Sequence, residues 1–343
     1  MRIAAHHKGL GDGVVFQKAG NFRALDVGLF DSFDKVYASL IFSRTRPLAE
    51  YLLAVYPDAI TGGTGWNVKL TLEDIGITTQ ELDYSIYPRY PHSIGYTQTG
   101  CRLRCAFCCV PEKEGRVREK NAIAQIWREG QTYQDAKNIA RPCPGNILLL
   151  DNDFFGQPNW QARIDELRQG NFKVCFNQGI NARMLTDETA AALVSVKCSD
   201  DQFKERRIYT AWDNRGDESR LFQGLNCLKS HGVNPDDMMV YMLIGYWPGE
   251  TAGDREYRRA KLRQFGCRPY PMPFFTDAEW REIFWKRTTP RIRELDGFKR
   301  WVLGTYDKRG IAWEDWVAAR YQPKNLGRTS FTEDLFSEEV VSE

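Results

Sequence analysis

Between residues 93 and 273 short apolar runs alternate with helical stretches, and most runs end at a cluster of polar residues. The runs lie at 93–99, 146–150, 172–176, 207–212, 238–244 and 268–273, and helical spacing fills roughly 119–138, 158–169, 186–196, 217–231 and 252–265. Strands joined by helices make a parallel sheet. Six such repeats suggest a partial (β/α)6 TIM-like barrel, whose chemistry would sit at the C-terminal strand ends. The polar clusters fall at such ends: Asp151-Asn152-Asp153, Gln178 to Arg183, Asp213-Asn214, and Gly245 to Glu250. The last run is broken by prolines, which fits an edge strand.

Residues 1–83 read as a small Rossmann- or flavodoxin-like α/β unit: strand 35–42, a helix at 47–56 with Pro47 in its first turn, and strand 58–63. Residues 84–92, with Pro88 and Pro91 among tyrosines, read as a linker. A helical extension is expected over 277–322, carrying Trp280, Trp285, Trp301, Trp313 and Trp316. The acidic stretch 323–343 is expected to be a flexible tail. The formal net charge of +2 does not announce a nucleic-acid binder. Between Arg281 and Gly310, however, nine Lys and Arg face four Asp and Glu. Arg291 and Arg293 in that stretch could meet a nucleotide or nucleic acid by phosphate pairing and stacking. The plainer reading, preferred here, is a helical cap with tryptophans in the core.

One short loop carries three cysteines, Cys101, Cys105 and Cys108, spaced so that their thiolates can aim at one centre. A [4Fe–4S] cluster takes one cysteine per iron, so three ligands leave one iron open. A structural zinc site closes with four ligands. Cys109 is a poor fourth, because adjacent side chains diverge, and the nearest upstream histidine, His92, lies beyond a strand. Of the nine cysteines, Cys143, Cys175, Cys198, Cys227 and Cys267 are scattered and read as small buried hydrophobes. The sequence shows no signal peptide and no apolar run near 18 residues, so a soluble, cytoplasmic chain is expected.

The three cysteines, with Phe107 before the last, resemble the signature of the radical S-adenosylmethionine (radical SAM) superfamily. The resemblance implies a [4Fe–4S] cluster whose open iron is chelated by SAM. An electron from a flavodoxin- or ferredoxin-type donor would split SAM to a deoxyadenosyl radical that takes hydrogen from an organic substrate. It also implies that Asp151, Asn152 or Asp153 meets the methionine amine and that Asp213 and Asn214 meet the ribose. The turn from Gly245 to Glu250 and Phe107 would lie near the adenine, and Gln178 and Arg183 would reach the SAM carboxylate or the substrate. The first 83 residues resemble the cobalamin-binding domain of one class of these enzymes. There His6 and Gly9 keep a cobalt-ligand spacing, but Ala4 stands where a ligand-orienting carboxylate belongs. Gly62-Gly63 could border the nucleotide tail.

Cobalamin-dependent methyl transfer is therefore the leading specific expectation, and nucleoside or nucleobase modification the second. Methylthio transfer is disfavoured because residues 1–83 contain no cysteine. The rival of another class is a non-catalytic iron–sulfur or zinc module that binds a partner or nucleic acid.

Overall fold

A computed structural model describes residues 1–25 and 33–320. The expected acidic tail at 323–343 lies outside the described residues. Helix α1 (Arg2–Gly9) opens the chain. Strand β1 (Tyr37–Ser39), helix α2 (Arg46–Val55) and strand β2 (Ile60–Gly62) follow, with Tyr37 in register with Ile60 in a parallel pair. Pro47 sits in the first turn of α2, and Leu48, Ala49 and Leu52 are buried. The unit is narrower than a flavodoxin-like sheet. After β2 the chain turns through Thr71, whose N–H is held by Asp74 at 2.8 Å, and through a short turn capped by Asp83.

Residues 84–92 are docked rather than free. The Tyr84 hydroxyl accepts from the Ile94 N–H at 2.8 Å, the Arg128 guanidinium lies 3.9 Å over the Tyr84 ring, and Arg128 also donates to the Tyr90 carbonyl. Then come β3 (Ser93–Gly95), β4 (Gln98–Thr99), α3 (Val110–Lys113), β5 (Arg118–Glu119) and α4 (Ile123–Ile126). The helix expected over 119–138 stops with α4. An antiparallel hairpin replaces the rest, β6 (Thr132–Gln134) with β7 (Ala140–Pro142). Gly130 and Asn138 both take positive φ, and Asp135 accepts from the N–H groups of Lys137 and Ile139, so the local turn chemistry outcompetes helical spacing.

The remaining alternation is as expected, apart from the additional two-residue β10: β8 (Asn146–Leu149), α5 (Trp160–Gln169), β9 (Lys173–Phe176), α6 (Asp187–Val194), β10 (Lys197–Cys198), β11 (Ile208–Ala211), α7 (Glu218–Ser230), β12 (Met238–Ile244), α8 (Ala252–Phe265) and β13 (Arg268–Pro273). Two parallel sheets result, in the orders β10-β9-β8-β3 and β11-β12-β13. The Ile180 N–H, just after β9, reaches the Tyr209 carbonyl on β11 at 2.7 Å and ties one sheet to the other.

Along β12, Met238, Val240, Met242 and Ile244 are buried, while Met239, Tyr241 and Leu243 on the opposite face are partly covered. The first set joins a core with Ile164, Leu167, Leu221, Leu225, Leu228 and Leu262 from the helices. The second face carries a smaller cluster of Leu148, Cys175, Phe203 and Tyr209. Helices α9 (Asp277–Phe284), α10 (Pro290–Leu303) and α11 (Trp313–Arg320) form the expected extension. Helix α10 buries Ile292, Leu295, Phe298, Trp301 and Val302 in the main core. Among the described residues no helix is long and apolar enough to cross a membrane.

Candidate metal centre

The three-cysteine loop hangs from the end of the β3–β4 segment. Gly100 starts it with φ +79°, a left-handed conformation that glycine adopts without cost. A Cβ there would meet the Arg116 carbonyl oxygen at 2.2 Å, so glycine is also required by space. The Cys101 N–H donates to the Gly115 carbonyl at 3.2 Å, and the Cys108 N–H to that of Cys105 at 3.0 Å. The Cys101 sulfur accepts from the Leu103 N–H at 3.4 Å. All three thiols are free and half-buried, whereas Cys109 is exposed. Burial, then the neighbouring acids and thiols, pushes the Cys101 and Cys108 thiols up.

The end of β8 braces the loop. Asp151 is buried and accepts from the Thr97 N–H at 2.8 Å and from the Thr97 hydroxyl. Burial, against the pull of those hydrogen bonds, raises its carboxyl to about 7. Asn152 donates to Glu114, whose same carboxylate oxygen accepts from the Gly100 N–H at 2.8 Å. Asp153, also buried, takes the Arg102 guanidinium through both oxygens at 2.7 and 2.9 Å and the Arg102 N–H at 3.0 Å. Of these three side chains, expected on a cofactor amine, Asp153 is engaged by the cysteine loop, Asn152 by Glu114 beyond it and Asp151 by Thr97 ahead of it.

Other strand ends close on the thiols. After β9, Arg183 lies beside Cys105 and pairs with Asp217 at 2.5 Å. Burial works against its charge, yet Asp217 and the Cys105 sulfur hold the guanidinium above its ordinary range. After β11, Asp213 stands near Cys108 and accepts from the Leu243 N–H at 3.1 Å, and burial raises its carboxyl. After β12, Tyr246 and Trp247 set their rings edge-on to Phe107, with centroids 5.7 and 6.3 Å away. The Trp247 indole N–H donates to the Asp213 carbonyl at 2.7 Å.

Other expected residues serve the turns. Asn214 caps a short turn by accepting from the Gly216 N–H at 2.8 Å. The Gly245 N–H donates to Glu250, whose carboxylate also meets buried Arg258, so that turn is closed on itself. Gln178 is exposed. Arg291 pairs with Glu279 and donates to the Gly245 and Phe274 carbonyls, while its side chain stays partly exposed. Arg293 is half-buried, with its Nε enclosed and unpartnered. In the first unit His7, not His6, is the buried imidazole. Its two nitrogens are engaged by Asp12 at 2.7 Å and the Tyr37 hydroxyl at 3.0 Å, which leaves neither for a metal.

Sequence reasoning missed Thr97, Arg102, Glu114 and Asp217, and it named Tyr246 and Trp247 only as part of the turn from Gly245 to Glu250. Asp217 could have been found, since it lies in the same polar cluster as Asp213. A cleft of about 960 Å³ is walled by Cys101, Arg102, Arg104, Glu112 and Arg116, but not by Cys105 or Cys108. It flanks the triad rather than containing it.

A [4Fe–4S] cluster takes each thiolate on a separate iron, so three thiols on one loop would fit it with one iron left open, whereas a structural zinc site closes with four ligands. No protein-family model matches this chain, and no curated protein matches its sequence.

Proposed function

We propose that the chain is a radical SAM enzyme acting on an organic substrate, with β3, β8, β9, β11, β12 and β13 as the six staves of a partial (β/α)6 barrel. The observation that carries the reading is convergence: three thiols on one loop, with the ends of β8, β9, β11 and β12 gathered around them. Cys101, Cys105 and Cys108 would hold a [4Fe–4S] cluster which, with SAM on its open iron, supplies a deoxyadenosyl radical for hydrogen abstraction.

The chain's own residues supply placement. Asp153 and Arg102 fix the loop's path, and Asn152 and Glu114 fix its first turn. Arg183 puts a permanent positive charge beside Cys105, where it offsets thiolate charge and can pair with a carboxylate. Phe107, Tyr246 and Trp247 form an aromatic wall suited to a flat ring and to keeping water out. Asp213, near Cys108, would accept from ligand hydroxyls beside the same centre.

Anaerobic reconstitution with iron and sulfide, then SAM and dithionite, tests this. Four irons per chain and formation of 5′-deoxyadenosine are expected, and both are lost when Cys105 is replaced by serine. Full reconstitution without deoxyadenosine would favour a non-catalytic iron–sulfur module.

A further inference from the structure

A second set of metal-ligating side chains lies outside that centre, on the helical layer. Asp187 is the first residue of α6, Cys227 lies in the last turn of α7, and His231 follows one turn later. One ligand atom from each falls within 4.8 Å of the other two. The Cys227 thiol donates to Asp187 Oδ1 at 3.5 Å, so a proton now stands between sulfur and carboxylate. His231 Nδ1 is 2.9 Å from the Cys227 carbonyl oxygen. A carbonyl only accepts, so Nδ1 carries the hydrogen and Nε2 keeps its lone pair. That second hydrogen bond is the usual way a metal-binding imidazole is oriented.

We propose that Asp187, Cys227 and His231 bind a Zn²⁺ ion that clasps α6 to α7. The donor set decides the metal: a thiolate excludes magnesium and calcium, while mixed oxygen, sulfur and nitrogen ligands suit zinc. On binding, the Cys227 S–H bond gives way to S–Zn and one proton is released to solvent. Asp187 is exposed and the other two ligands are half-buried, so a water completes the tetrahedron from the open side. The site is independent of the iron–sulfur reading.

Peptide-resolved alkylation of the full chain tests it, because each cysteine is read separately and metal at the three-cysteine loop does not interfere. Excess Zn²⁺ is expected to slow iodoacetamide labelling of Cys227 by about tenfold or more relative to chelator, with half-buried Cys143 unaffected. Asp187→Asn and His231→Gln should each weaken that protection. Zinc should also raise the melting temperature of the parent chain but not of Cys227→Ser. Equal labelling of Cys227 with zinc and with chelator overturns the proposal. Protection that survives in both ligand variants overturns it as well.

Discussion

Asp153 holds the cysteine loop from a position where one carboxylate meets three donors of the same residue. Replacement by asparagine keeps the shape but removes the charge and leaves one oxygen to accept. A hydrogen bond to a charged group is worth about 1.5–3 kcal/mol; Arg102 is more than a third exposed, so the lower end applies. Asp153→Asn should therefore cost about 1.5 kcal/mol and release iron faster from reconstituted protein, read by melting and by chelator challenge. Unchanged iron retention would remove Asp153 from the loop's support.

Two other groups, buried Asp151 and half-buried His92, oppose each other in pH. Asp151 is raised from the ordinary 3.8 to about 7, chiefly by burial, so the folded state holds a proton that the unfolded state has lost, and stability falls as pH rises through that window. His92 is lowered from 6.5 to about 4 by burial and then by Arg128, so stability falls as pH drops through its window. The parent chain should show a shallow profile between pH 4 and 7. Asp151→Asn should expose stability rising with pH, and His92→Gln stability falling with it. Parallel profiles for the two variants would refute the pairing.

At the scale of elements, the loop depends on one backbone turn. Gly100 and Gly115 both take positive φ, but a Cβ at Gly115 meets open space whereas one at Gly100 meets the Arg116 backbone. Gly115→Ala should cost about 1 kcal/mol. Gly100→Ala adds displacement of the chain that carries Cys101, and its cost should exceed that of Gly115→Ala by about 1–3 kcal/mol. Equal melting temperatures would show that the turn yields without strain.

The parallel strands were legible because their runs are apolar, short and bounded by polar clusters, as in β8 and β12. The false helix at 119–138 arose because Ile123, Ile126 and Trp127 keep helical spacing, while the turn at Gly130 and the Asp135–Asn138 corner belong to a signal of a different period. The thiols were legible because their spacing is local. The brace was not, since Arg102 and Asp153 are distant in sequence and nothing local couples them. Asp151, Asn152 and Asp153 were legible as a polar cluster at a strand end, but their partners Thr97, Glu114 and Arg102 were not, because nothing local couples residues so far apart in sequence.

At the scale of the whole molecule, the first unit is fastened to the C-terminal helices, not only to the chain that follows it. Arg46 pairs with Asp277 at 2.9 Å and Arg281 with Glu50 at 2.5 Å, all exposed or nearly so. Alongside them, Phe22 sets its ring edge-on to Phe284 at 5.5 Å and to Tyr51 at 5.7 Å. Exposed ion pairs contribute about 0–1 kcal/mol and fade with salt. Removing an aromatic side chain forfeits both buried area and ring contacts, so its loss is larger and insensitive to salt. Glu50→Gln should therefore shift stability by about 0.5 kcal/mol or less, and Phe284→Ala by about 2 kcal/mol. The second effect should persist in high salt. A fastening held by charge would show the reverse order and would loosen as salt is added, with the first unit becoming the earliest site of proteolysis.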